Sequence, residues 1–189
     1  MFRSALAAIF AAFSLIGLEF AAGDARAASY TFDKRADISF IYNVGIVQQS
    51  GHLSDIDGVF QFDKRAPERG SIKAVIKTAS LSAAIAEDIL RGDDFFNVSS
   101  FPEIHFVSRS AKATGDNTAE FTGDLTIKGV TRPMTLKVVF QPQGAANAQG
   151  QKVTATARIK RSAFNMTAYS YIVDDDVDIE IKAVLREKK

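Results

Sequence analysis

The sequence predicts an all-β fold of about eight antiparallel strands with one short helical excursion. Three observations carry that expectation. Apolar and polar residues alternate with a period of two through most of residues 37–183, the spacing that sends one side of a strand into a core and the other into water. All four prolines (Pro67, Pro102, Pro133, Pro142) stand at breaks or strand ends, where a missing N–H does least harm. There is no cysteine, so burial and hydrogen bonding hold the fold without disulfides, and thiolate and iron–sulfur chemistry are excluded.

Taken in order, Ile38, Phe40, Tyr42 and Val44 share one side of a first strand. Residues 51–63 form a second, and Ile72, Ala74 and Ile76 mark a third. Residues 82–91 read as a short helix, capped by Ser82 and stopped by Gly92 in a left-handed turn, with Ile85 and Ile89 on one face. Asp93-Asp94-Phe95-Phe96-Asn97 then sets two adjacent aromatics in a polar stretch. On a strand adjacent side chains face opposite ways, so one of them is expected to plug something. Ile104 and Phe106 open the next strand; Phe121, Leu125 and Ile127 line another. Residues 128–131 make a turn, after which Met134, Leu136, Val138 and Phe140 alternate. The small polar loop 144–150 is expected to be the most mobile, and Val153–Ile159 and Val177–Ala183 supply the last two alternating runs. Such a chain forms either a sandwich or a closed barrel, and an eight-stranded barrel holds packed side chains or one small ligand.

The first 27 residues read differently. They carry an early cation (Arg3), an uncharged run over 4–18, and Ala25-Arg26-Ala27 as a small-x-small exit, the layout of a secretory signal peptide. The uncharged run falls short of the ~20 residues of a spanning helix. The expectation is a cleaved leader at 1–27 and one domain over 28–189, in the periplasm. Formal net charge is +1, which gives no electrostatic reason to expect nucleic acid or an anionic membrane as partner.

Three blocks carry a family resemblance. Gly123-Asp124-Leu125-Thr126-Ile127-Lys128-Gly129-Val130-Thr131-Arg132-Pro133 resembles a hairpin of the YceI family of bacterial periplasmic proteins. Leu90-Arg91-Gly92-Asp93-Asp94-Phe95-Phe96-Asn97, followed by Phe101-Pro102-Glu103-Ile104-His105-Phe106-Val107-Ser108, resembles a second block of that family. Arg161-Ser162-Ala163-Phe164-Asn165-Met166 resembles its characteristic turn. Two positions depart: Ile89 stands where the family often has histidine, and Asn165 where it has glycine. Asparagine enters left-handed conformations readily, so the second change is mild.

The resemblance implies an extended, lipocalin-like, eight-stranded antiparallel barrel with a helix beside it. Its hydrophobic pore would hold a polyisoprenoid or similar long-chain amphiphile. It further implies a carrier role, with two alternatives: isoprenoid-quinone binding for a membrane cytochrome b561-type partner, or a stress-response barrel without a ligand. A homodimer is a candidate assembly, and no cofactor is implied. The candidate pore lining is Phe40, Tyr42, Phe60, Phe62, Ile72, Ile76, Leu90, Phe95, Phe96, Phe106, Phe121, Leu125, Leu136, Val138, Phe140, Phe164 and Met166, residues that serve equally as ordinary core. Arg91 and Arg161 are candidates for a pyrophosphate head or for structural ion pairs.

For catalysis the sequence offers little. His105 lies on the polar register, His52 has no acidic neighbour in sequence, and HExxH and GxSxG are absent. Asp124 is expected to brace its hairpin. The run Asp174-Asp175-Asp176-Val177-Asp178 lacks EF-hand spacing and reads as a solvated turn before a strand. The protein is therefore expected not to be an enzyme.

Overall fold

The computed structural model describes residues 28–63, 66–142 and 150–188. The expected leader at 1–27 and most of the loop 144–150 lie outside these residues. The strands are β1 (Ala28–Phe32), β2 (Asp37–Val44), β3 (Val47–Leu53), β4 (Ile56–Phe62), β5 (Ser71–Lys77), β6 (Ser82–Ala83), β7 (Glu103–Gly115), β8 (Thr118–Ile127), β9 (Val130–Phe140), β10 (Gln151–Lys160) and β11 (Asp176–Glu187), with one helix, α1 (Glu87–Arg91).

These strands make eight staves. β1 and β2 form one stave broken at residues 33–36, and β3 and β4 form the returning one. The pairings Ile38↔Leu53 and Tyr30↔Phe60 belong to a single long hairpin. β5, β7, β8, β9, β10 and β11 follow as an antiparallel meander. β11 then pairs with both halves of the first stave, Ile181↔Ile38 and Tyr30↔Glu187, and closes the ring. The result is an up-and-down barrel, the closure that leaves no long sheet edge exposed.

Alternation sets which side faces inward. Met134, Leu136, Val138 and Phe140 are buried while Thr135, Lys137 and Val139 are exposed. Asp33 fastens the seam: its carboxylate accepts hydrogen bonds from Arg35 on its own turn and from Arg186 on β11. The β8–β9 turn is tight because Lys128 and Gly129 both have positive φ (50° and 71°), the twist that suits a two-residue hairpin. Gly123 is needed for another reason. A β-bulge between Ser108 and Ser110 brings the backbone of β7 against it, and a Cβ there would strike the Val107 carbonyl and Ser108 Cα.

The segment 82–101 differs from expectation. Helix is confined to Glu87–Arg91, because Ser82 and Ala83 pair with His52 and Gly51 as a short strand. Ser82 therefore does not cap the helix; Ala86 precedes it in a left-handed conformation. Gly92 does end the helix, but in an extended rather than a left-handed conformation, its N–H donating to the Asp88 and Ile89 carbonyls. Ile85 and Ile89 are exposed; Leu90 is the helix residue turned inward.

A candidate apolar ligand cavity

The interior of the barrel is not filled. A cavity with about 1300 Å³ of empty space, its opening included, runs within the staves. Its wall takes a residue from nearly every strand. Phe40 and Tyr42 come from β2, Phe60 from β4, Ile72 and Ile76 from β5, Phe106 from β7, and Leu125 from β8. Leu136 and Val138 come from β9, while Leu90, Phe95, Phe96 and Met166 close in from the segments beside the barrel.

Phe62, Phe121, Phe140 and Phe164 do not line the cavity. The first three join Phe60 in an aromatic cluster at one end of the barrel. Phe62 stacks on Phe140 at 4.5 Å, and Phe60 lies 5.3 Å from Phe121 and 5.9 Å from Phe140. Phe121 is wholly buried, with the turn at Gly70 packed over it. These rings stop that end, and Phe164 is buried in the turn after β10.

Sequence reasoning missed one side of the wall. Val153, Ala155 and Ile159 of β10 and Val177, Ile179 and Ile181 of β11 all face the cavity. Their period-two alternation marks them as inward in the sequence, but alternation alone does not separate cavity wall from packed core.

Both adjacent aromatics point inward, against the expectation that only one would. Residues 92–100 are a series of turns rather than a strand, so the opposed geometry of neighbouring strand residues does not apply. Phe96 meets Phe40 at 5.3 Å, and Phe95 stacks on Tyr169 at 6.2 Å with the rings 9° apart.

Among the lining residues the side chains with polar atoms are Tyr42 and Arg161. Burial pushes the Tyr42 phenol above its ordinary pKa. Arg161 is 5% exposed and makes no ion pair with a described carboxylate. Its Nε donates to the Asp174 carbonyl (2.9 Å). Nη1 donates to Met166 and Ala168 (2.6 and 2.8 Å), and Nη2 to Val173 (2.9 Å). The cation thus ties the loop after β10 across the end of the barrel, and its donors are spent on backbone. Arg91 is likewise structural: it pairs with Glu87 at 3.0 Å and donates to the Leu81 and Ala79 carbonyls.

The residues considered for catalysis lie on outward registers. Asp124 pairs with Arg109 across β7 and β8. His105 is partly exposed beside Glu103 (3.3 Å). His52 does have acidic company, because strand pairing brings Asp37 to it at 3.2 Å and Ser39 to 3.3 Å. Both contacts use Nδ1, and a serine–histidine–aspartate relay needs the two partners on opposite ring nitrogens. Asp174 meets Asn43, Asp175 meets Ser162, Asp176 meets Lys160 and Asp178 meets Arg158. Among the described residues no three metal-ligating side chains converge.

Comparison with known proteins agrees with this architecture. Residues 30–185 match the YceI-like domain. The chain belongs to the YceI family. Among its relatives, a UPF0312 protein of Pseudomonas putida is 37% identical over 182 residues, covering 90% of this chain and 95% of that one. A UPF0312 protein of Pseudomonas syringae is 39% identical over 76% of each. Burkholderia cenocepacia BcnA superposes with a TM-score of 0.72 at 29% identity, over 79% of this chain and 95% of that one. The Campylobacter jejuni YceI protein superposes at 0.64 and 25% identity, over 76% and 87%. A polyisoprenoid binding domain from Saccharophagus degradans shares the fold at 0.62 with 10% identity, over 86% and 99%. The lipocalin-like barrel of the YceI family is thus the fold of this chain.

Proposed function

We propose that this YceI-family barrel is a periplasmic carrier of a long-chain isoprenoid or similar amphiphilic lipid, without catalytic activity. The observation that carries the reading is the cavity itself, walled by aliphatic and aromatic side chains from nearly every strand and stopped at one end by stacked phenylalanines. Such a lumen offers little to a polar solute. Covering ~400 Å² of an isoprenoid tail at ~25 cal/mol per Å² yields roughly 10 kcal/mol before ordering costs. Losses of translational and chain freedom leave micromolar or tighter binding. The polyisoprenoid binding domain of Saccharophagus degradans with the same fold supports the ligand class.

Mass spectrometry of gently extracted, purified protein tests this reading. A long-chain lipid absent from an unrelated protein handled identically is the expected result. Extracts indistinguishable from that control across several expression hosts would defeat it. A redox-active head would favour the alternative in which the barrel holds an isoprenoid quinone for a membrane cytochrome b561-type partner. In that form of the proposal, a quinone entering the cavity quenches Tyr42 emission, and Tyr42→Phe removes the quenchable fraction.

A further inference from the structure

Exposed apolar side chains are unevenly placed on this barrel. Among the described residues, Val107 and Val139 are isolated on the outer wall. The other exposed large hydrophobics all lie at the end opposite the phenylalanine stop. Ile46 at the β2–β3 tip is fully exposed (102%) with Val47 beside it (53%), and the loop after β10 presents Tyr169, Tyr171 (85%) and Ile172. Ile85 and Ile89 belong to the segment capping that same end.

The two tips are fixed to each other. The Gly45 N–H donates to the Ile172 carbonyl (2.7 Å), Val44 bridges to Val173, and the Asp174 N–H donates to the Asn43 carbonyl (3.0 Å). They are also continuous with the cavity wall. Phe95 and Val173 both line it; Phe95 stacks on Tyr169, and Tyr169 lies 6.5 Å from Tyr171.

We infer that this end of the barrel docks on a lipid bilayer, inserting Ile46, Val47 and Ile172 with Tyr169 and Tyr171 at the headgroup level. The inference rests on the carrier reading above, since a ligand insoluble in water must be taken from and returned to a lipid phase. The composition suits a bilayer: aliphatic tips flanked by tyrosines, whose amphipathic rings favour the membrane–water boundary. Its extent does not suit a stable protein partner. Even with Ile85 and Ile89 the exposed apolar set is seven side chains, a small nucleus beside the ~20–30 residues of all kinds that a standard protein–protein interface uses on each side. Of the neighbouring acids, Asp175 and Asp176 share Lys160 (3.6 and 3.0 Å) and the Asp174 carboxylate sits beside the neutral amide of Asn43, so docking draws on apolar contact and not on attraction to anionic lipid.

The chain has no tryptophan, which allows a local test. In protein purified from cells expressing the full chain, Ile46→Trp places a single reporter on the tip, and Val139→Trp places one on the outer wall. With phosphatidylcholine vesicles, the reporter at 46 should shift to the blue and be quenched by acyl-chain bromine, and the one at 139 should not. Added phosphatidylglycerol should not strengthen the shift. Ile46→Asp with Tyr171→Asp should weaken vesicle binding by about tenfold or more. An unshifted reporter at 46, or equal shifts at both sites, overturns the inference. So does a concentration-dependent shift without vesicles that accompanies a doubled mass, which would assign the patch to a second copy of the chain. Retained lipid is measured on the same samples. Lipid present with an unshifted reporter defeats docking alone, whereas docking by protein that never retains lipid defeats the carrier reading.

Discussion

The tip of the Phe40 ring rests against Gly51, its cross-strand partner on β3, so that a Cβ at position 51 would overlap the ring's Cζ and crowd both Cε atoms. The glycine therefore fixes where a cavity-wall aromatic stands. Gly51→Ala meets only the far end of a side chain, which can swing toward Phe96 and into the lumen. The expected outcome is a folded protein with a cost of roughly 1–3 kcal/mol from crowding and several-fold less retained lipid, read by urea denaturation and mass spectrometry on one preparation.

An empty lumen and a packed core respond oppositely to added volume. Ala74 and Ala155 are buried small residues on the cavity wall. In a core at ordinary density, Ala155→Phe would be strongly destabilising. Here the ring has space to enter, so thermal midpoint should stay within a few degrees of the parent while lipid retention is lost. A large drop in midpoint would mean that the interior is filled.

Arg161 holds its loop by donating to four backbone carbonyls. Lysine cannot reproduce that fork of donors. Arg161→Lys should cost about 1–3 kcal/mol per carbonyl left buried and unpaired. Hydrogen exchange should accelerate over 166–174 before the barrel strands are affected.

The seam carries a pH dependence. Hydrogen bonds from Arg35, and then from Arg186, hold the Asp33 carboxyl well below the usual carboxylate range. A depressed folded-state value stabilises above the unfolded carboxyl pKa of about 3.9, and that contribution disappears as pH falls through the folded value. Asp33→Asn should therefore melt lower than the parent at neutral pH. The two melting curves should converge in strong acid; a constant gap at every pH would refute the assignment.

Much of the barrel is written in the sequence as alternation, and the inward residues of β2, β5, β8 and β9 can be named from it. Period two encodes inside and outside but not height along the barrel axis. Phe62, Phe121 and Phe140 share the inward register with Phe106 and Val138, yet sit at the stopped end rather than on the wall. Irregular backbone hides more. The bulge at Ser108 and Ser110 shifts the phase of β7, so its reach to Gly115 is not apparent beyond Phe106. The segment 82–101 has helix-like spacing, but pairing of Ser82 and Ala83 with β3 overrides it. The hydrogen bond between His52 and Asp37 spans 15 positions and exists only through strand register.

Closure of the ring has a kinetic side. Tyr30 pairs with Glu187 and Phe32 with Leu185, so the strands that complete the wall are the first and the last of the described chain. No inside exists until both have arrived. Long-range pairing of this kind pays its loop-closure entropy late and folds slowly. A lipid cannot be enclosed by a partly made protein, and until the last stave docks the apolar face of every other stave stands open to whatever is nearby.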